Sequence, residues 1–305
     1  MTASPLPIPS GIPPPRYCLD RTRQANTSFF YPMLFLPKAR RQAMYALYAY
    51  CREVDDVVDS GHDETHARER LSWWQKELTS AFDGESHHPV TQEVARISSL
   101  FRLPREPFFI ILEGMAMDLE KTRYESLDEL IAYCQKVAVA VGVVAMRIFT
   151  WEEQSQSPSP EQQDRLAYHL GTAFQLTNIL RDVAEDAELG RIYLPREILA
   201  QHGVSDEQIL NRAWSPALGS AMASVGQVAA SHYEQAERMI PLFSKRNHLL
   251  PALVMSGIYR TYLTKLEKSG FNPFTTPVTL TIPARLWIAW RIWRSEKKRL
   301  HAPLG

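Results

Sequence analysis

Two stripes of polar residues run along helices that are otherwise apolar, and each stripe carries a pair of aspartates four residues apart. In the first, Tyr48, Arg52, Asp55 and Asp59 follow at steps of four, three and four. In the second, Gln175, Asn178, Asp182 and Asp186 follow at steps of three, four and four, with Glu185 on the shoulder. On a helix such spacing stacks side chains on one face, with Cβ atoms roughly 6 Å apart. Met44, Leu47, Val54 and Val58 flank the first stripe, and Leu170, Phe174, Leu176, Ile179 and Val183 the second. Both helices are therefore expected to be buried. Like charges at this spacing destabilise a bare helix, and an unpaired buried carboxylate costs more still. A single acidic pair is commonly a solvated helix face, but two such pairs on apolar helices require cations. Hard divalent ions such as Mg2+ take carboxylate oxygens and share them with phosphates. The expectation is a pocket in which metal ions hold a diphosphate.

A chain of 305 residues can bury a large core as one big domain or two small ones. Its thirteen glycines are few, its apolar periodicity is helical nearly throughout, and strand-like alternation is scarce. Helices are expected near residues 17–30, 38–59, 63–82, 89–101, 105–122, 126–149, 160–188, 214–240, 247–268 and 282–299. The 34 basic and 34 acidic residues balance, so bulk charge points to no nucleic-acid partner. Cys18, Cys51 and Cys134 are too few and scattered for a disulfide framework or a cysteine zinc site, and fit a reducing cytoplasm. The proline-rich residues 1–15 lack the basic and apolar regions of a signal peptide and read as a flexible lead-in. No run reaches the roughly 18 apolar residues of a spanning helix, so no transmembrane segment is expected. Ser155 to Pro160 reads as a loop within one domain, residues 16–305.

Several segments together resemble the squalene/phytoene synthase family of head-to-head prenyltransferases. They are Ser28-Phe29-Phe30-Tyr31, the run from Ala46 through Arg52 and Asp55 to Asp59, and Tyr133-Cys134. The signature from Gln175 through Asn178, Arg181, Asp182 and Asp186 to Gly190-Arg191-Ile192-Tyr193-Leu194-Pro195 completes them. Asp-Val-Ala-Glu-Asp at 182–186 and Leu286-Trp287-Ile288-Ala289-Trp290 most resemble bacterial presqualene diphosphate synthases of hopanoid biosynthesis. The resemblance implies one all-α domain of the isoprenoid-synthase type, with helices around a central cavity and the aspartate helices at its mouth. It implies farnesyl diphosphate as substrate and two or three Mg2+ ions, held by Asp55, Asp59, Asn178, Asp182, Glu185 and Asp186. NADPH is not expected.

Ionisation of an allylic diphosphate needs charge stabilisation on the leaving group and dry apolar walls against quenching by water. Arg52 and Arg181 suit phosphate oxygens, because guanidinium offers a planar fork of donors; the alternative is that each neutralises the neighbouring aspartates. By resemblance, Arg191 and Tyr193 contact diphosphate, while Ser28, Tyr48, Gln175, Asn178 and Tyr259 line the substrate site. Tyr133 resembles the tyrosine linked to presqualene diphosphate formation, where a proton is lost as the cyclopropane closes. A neutral tyrosine is a poor base, so released diphosphate is the other candidate acceptor and a packing role for Tyr133 stays open.

Three positions depart from many relatives: Val139 where glycine is common, Lys136 where a second tyrosine stands, and Thr276-Pro277 where an arginine is often found. Val139 is expected to tighten the packing around the cavity. None of the departures touches the metal aspartates. Squalene synthesis with NADPH and phytoene or dehydrosqualene synthesis remain alternative activities. A catalytically dead assembly factor is the alternative outside enzymes. In the last helix, Leu286, Ile288, Ala289, Trp290, Ile292 and Trp293 form one arc, with Arg291, Arg294 and Lys298 opposite beside Trp287. That arc is expected either to pack on the core or to lie on an anionic membrane. Downstream pathway enzymes are further expected partners.

Overall fold

The structure is a computed structural model and describes residues 11–25, 30–59, 64–152, 158–275 and 277–300. The described chain is helical, as the periodicity requires: α1 Pro14–Gln24, α2 Phe30–Met33, α3 Lys38–Asp59, α4 Glu64–Phe82, α5 Pro89–Phe101, α6 Glu106–Glu120, α7 Leu127–Cys134, α8 Ala140–Thr150, α9 Pro160–Glu188, α10 Arg196–Gln201, α11 Asp206–Leu210, α12 Pro216–Met239, α13 Leu250–Lys268 and α14 Ile282–Leu300. Among the described residues there is no strand, only a lone parallel bridge between Arg123 and Ile192. Pro14 and Pro15 open α1 instead of preceding it, because the first helical turn leaves proline's missing N–H without cost. Pro5, Pro7 and Pro9 lie outside the described residues.

Two compact units emerge, residues 1–120 with 140–157 and residues 121–139 with 158–305. In the first, α3 lies against α1, α5, α6 and α8. Its Ala43, Leu47, Tyr50, Val54 and Val57 are buried, and the Tyr50 hydroxyl donates to the Phe108 carbonyl at 2.8 Å. Tyr50 also meets Trp74 and Phe108 edge-on. The buried Glu77 of α4 accepts from the backbone N–H of His87 and His88 at 2.8 and 2.7 Å. Burial alone would raise its pKa; those bonds and one from Thr91 outweigh that and lower it.

In the second unit α9 is the spine, packed on α7, α12 and α13. Ser159 and Gln162 form a reciprocal capping box around Pro160, which fixes its start. A π turn, Gln135–Val139, follows α7 and packs against α9. The approach is close enough that a Cβ on Gly171 would lie 2.9 Å from the Cα of Val139. The tightness assigned to Val139 therefore belongs to its backbone and to Gly171, while the Val139 side chain is half-buried.

One helical stretch bears on the expected absence of a transmembrane segment. Leu127–Thr150 is helical throughout and is long and apolar enough to cross a membrane by length and composition, with mean hydropathy 1.6. Lys136 and Arg147 interrupt the apolar run, which hid it from a search for unbroken apolar sequence. Leu130, Tyr133, Cys134, Ala140, Val144 and Ile148 along it are buried within the protein. The three cysteines are unpaired, and burial pushes the Cys51 thiol up to about 12, so it packs as a small apolar group.

The α9 and α12 helices bring His169 and His232 together Nδ1 to Nδ1 at 3.1 Å, with Tyr168 edge-on to both rings. One ring must donate and the other accept, so a second proton would set two N–H groups against each other. Burial lowers both pKa values below the ordinary 6.5, helped by Arg165 at His169 and by His169 at His232. Burial lowers His88 likewise, against Glu53 and Glu77. The unfolded chain takes up protons near pH 6.5 that the folded chain refuses until lower pH, so stability is full above that pH and falls below it. The melting temperature is expected to drop between about pH 7 and pH 5, and His232→Gln to flatten that drop. Identical pH profiles for the two proteins would remove the pair from this role.

Candidate active site

The first aspartate motif ends α3. Arg52 forks across it, Nη1 donating to Asp55 at 2.6 Å and Nη2 to Asp56 at 2.7 Å. Asp56 also binds Arg21 of α1, and Arg21 Nε donates to the buried Glu53 at 2.8 Å. The Tyr17 hydroxyl donates to the same Glu53 oxygen at 2.8 Å, and burial followed by that bond raises its pKa. Asp55 and Asp56 are 37% and 36% exposed, so the helix is buried while its carboxylates reach solvent. Arg52 pairs with both neighbouring aspartates, and Tyr48 on the same stripe is half-buried. Tyr17, Arg21, Glu53 and Asp56 were not singled out from sequence. Ser28 and the Asp59 side chain lie outside the described residues.

The second motif lies along α9, where Gln175, Asn178, Arg181, Asp182 and Asp186 are half-buried between fully buried Leu176, Ile179, Leu180 and Val183. A polar line open on an otherwise enclosed helix is what the sequence stripe requires. Arg181 grips Asp182 with Nε and Nη2, both at 2.6 Å, and lies 5.2 Å over the Tyr262 ring. Burial would lower the Arg181 pKa; the Asp182 carboxylate reverses that and raises it. The buried Tyr259 packs against Phe174 with ring centres 4.8 Å apart and the planes tilted, and its pKa is raised by burial against the opposing pull of Arg181 and a bond from the Asn178 amide. Glu185 is exposed on the shoulder.

Beyond α9 the chain turns at Gly190, whose φ of +71° suits glycine. Arg191 N–H then bonds back to the Asp186 carbonyl at 2.8 Å. The segment is fastened to residues 122–125: Ile192 N–H donates to Thr122 at 3.0 Å and Arg196 N–H to Tyr124 at 2.9 Å. Arg123 donates to the Leu194 carbonyl at 2.5 Å and holds Asp206 through two bonds at 2.8 and 2.9 Å. That pairing lowers the Asp206 pKa. Asp186, Arg191 and Tyr193 thereby line one small cleft of about 190 Å3, open mouth included. Tyr133 joins them through Tyr193, at 5.3 Å between ring centres. Tyr124 completes the cluster, 5.6 Å from Tyr193 and 5.4 Å from Tyr133. It lies outside the helices, where no helical stripe could have marked it.

The donor set on α9 fits a hard cation. Asn178 Oδ1 is buried with no hydrogen-bond partner, and Asp182 and Asp186 follow it at successive turns. A buried acceptor of this kind needs a donor or a cation, and three oxygen groups in line suit Mg2+. Among the described residues no three His, Cys, Asp or Glu side chains converge into a ready-made metal cluster. Substrate oxygens would have to complete any coordination sphere.

The squalene/phytoene synthase family profile matches residues 22–286. A presqualene diphosphate synthase of Sinorhizobium fredii is 34% identical over 262 residues, 86% of this chain and 91% of that protein. A chloroplastic phytoene synthase of Narcissus pseudonarcissus is 35% identical over 259 residues, 85% of this chain. The chain spans 60% of that plant protein's length. The crystal structure of a dehydrosqualene synthase superposes with a TM-score of 0.83 at 27% identity, covering 93% of this chain and 97% of that one. The chain belongs to the squalene/phytoene synthase family.

Proposed function

We propose that the protein condenses two farnesyl diphosphates head to head into presqualene diphosphate, releasing diphosphate and a proton in a Mg2+-dependent reaction. The observation that carries this is the half-open Asn178–Asp182–Asp186 line on α9, with an unpartnered amide oxygen at its start. Asn178, Asp182 and Asp186 would hold the metal in the second motif, and Asp55 and Asp59 in the first. Bound Mg2+ would supply Lewis-acid stabilisation of the departing diphosphate. Arg191, fixed beside Asp186 by the turn at Gly190, binds diphosphate oxygens. Arg52 and Arg181 orient the aspartates for the ions. The apolar wall of Ile179, Val183 and Ile192 excludes water from the cleft. Residues 16–305 act as one cytoplasmic prenyltransferase domain, a reading supported by one family match that runs through both units.

The comparable identity to a phytoene synthase favours one second reading, the same condensation on geranylgeranyl diphosphate. Supplying each diphosphate with Mg2+ and identifying the products decides between them. Presqualene diphosphate from farnesyl diphosphate without NADPH is expected; no diphosphate release from either substrate would leave an assembly factor. Tyr133, in ring contact with Tyr124 and Tyr193, would hold or pass the proton lost at ring closure. Tyr133→Phe should keep substrate consumption within about threefold while presqualene diphosphate falls about tenfold or more. Unchanged product yield would assign Tyr133 to packing.

A further inference from the structure

The last helix presents a different chemistry to its two sides. Ile288, Ala289 and Glu296 are buried, and a Cβ on Gly257 of α13 would come within 2.5 Å of Ile292. Glu296 is held by Arg246 at 2.6 and 3.1 Å. That corrects the arc read from the wheel: Trp290 and Trp293 do not share the side of Ile288 and Ala289 but face outward with Trp287. The three tryptophans are 47%, 36% and 55% exposed, in the order just named. Each carries a cation one turn along: Arg291 lies 4.8 Å over Trp287, Arg294 5.1 Å over Trp290 and Lys297 5.0 Å over Trp293. The helix's single acid, Glu296, is the buried one, so its outward face carries cations and tryptophans but no acid. In a chain with no net charge this is a local concentration of positive potential.

We propose that this face of α14 seats the protein on an anionic lipid bilayer, lying in the plane of the headgroups. Indole rings settle at the boundary between headgroup and acyl chain, while cations beside them reach phosphate oxygens. A rung of tryptophan and cation at each turn gives both along one line. A second copy of the same face is disfavoured, because it would set cations against cations. The proposal is independent of the prenyl substrate.

The test is sedimentation of the full chain with vesicles of phosphatidylcholine alone or with about 30% phosphatidylglycerol, at about 50 and 300 mM salt. The wild type should sediment with the anionic vesicles at low salt, stay in solution with the neutral ones, and be released as salt rises. Two triple variants, Arg291→Gln/Arg294→Gln/Lys297→Gln and Trp287→Ser/Trp290→Ser/Trp293→Ser, should each lose binding about tenfold or more. Glutamine matches arginine and lysine in helix propensity, so the first variant should melt as wild type and release diphosphate normally from detergent-dispersed substrate. Wild type that stays in solution, or a glutamine variant retained equally, would overturn the proposal. So would salt-sensitive binding to a DNA duplex with none to vesicles.

Discussion

Asn178→Ala is expected to lower Mg2+-dependent diphosphate release by about two orders of magnitude and to raise the Mg2+ needed for half-maximal rate by about tenfold. The buried Oδ1 of Asn178 has no partner, so its removal relieves an unsatisfied acceptor; the cost is one amide bond to Tyr259. Fold stability should move by no more than about 1 kcal/mol, which separates a ligand from a structural residue. Asp182→Ala should abolish at least as much activity but also destabilise. It leaves the Arg181 guanidinium, about a quarter exposed, without the carboxylate that now binds it twice. A loss of about 1–2 kcal/mol fits a pair of that exposure. Asp186→Asn should likewise lower diphosphate release and raise the Mg2+ needed for half-maximal rate. Activity is to be followed as diphosphate release against Mg2+ concentration, with a thermal melt of each variant. An unchanged Mg2+ activation curve in Asn178→Ala would end the assignment of α9 as a metal-binding helix.

How much of this was legible in the sequence follows from where each signal resides. The long helices were readable because periodicity and punctuation agree: Ser159-Pro160 opens α9, His88-Pro89 opens α5 and Ser215-Pro216 opens α12. The short α10 and α11 were missed. They carry no period of their own and are pinned by Arg123 and Arg196 on Asp206, a contact about eighty residues distant for Arg123. The α9 stripe was legible because polar sequence and half-open burial coincide on one helix face. The ring of Arg21, Glu53 and Asp56 was not, since α1 supplies its cation and nothing local in α3 announces it. For α14 a helical wheel gives the arcs but not which arc faces inward. Gly257 and Arg246, on other segments, decide that.

Gly171→Val is expected to destabilise the second unit strongly. A Cβ at this position would meet the Val139 Cα at 2.9 Å, the Val139 N at 3.0 Å and the Ala138 C at 3.1 Å. All three are backbone atoms, so no rotamer change relieves the clash and α9 must separate from the π turn. Overpacking of this kind costs about 1–3 kcal/mol for one carbon, and the two further methyl groups of valine should take it past about 3 kcal/mol. Gly171→Ala should cost less, since alanine recovers about 1 kcal/mol of helix propensity. For a chain of this size each kcal/mol lowers the melting temperature by roughly 2–4 °C. The π turn directly follows Tyr133 and Cys134, so a shift there also disturbs the tyrosine cluster and should reduce turnover. Because the contact is to the backbone of Val139, adding Val139→Gly should not rescue Gly171→Ala. Recovery of melting temperature and activity in that double variant would show that the side chain of residue 139 sets the helix spacing.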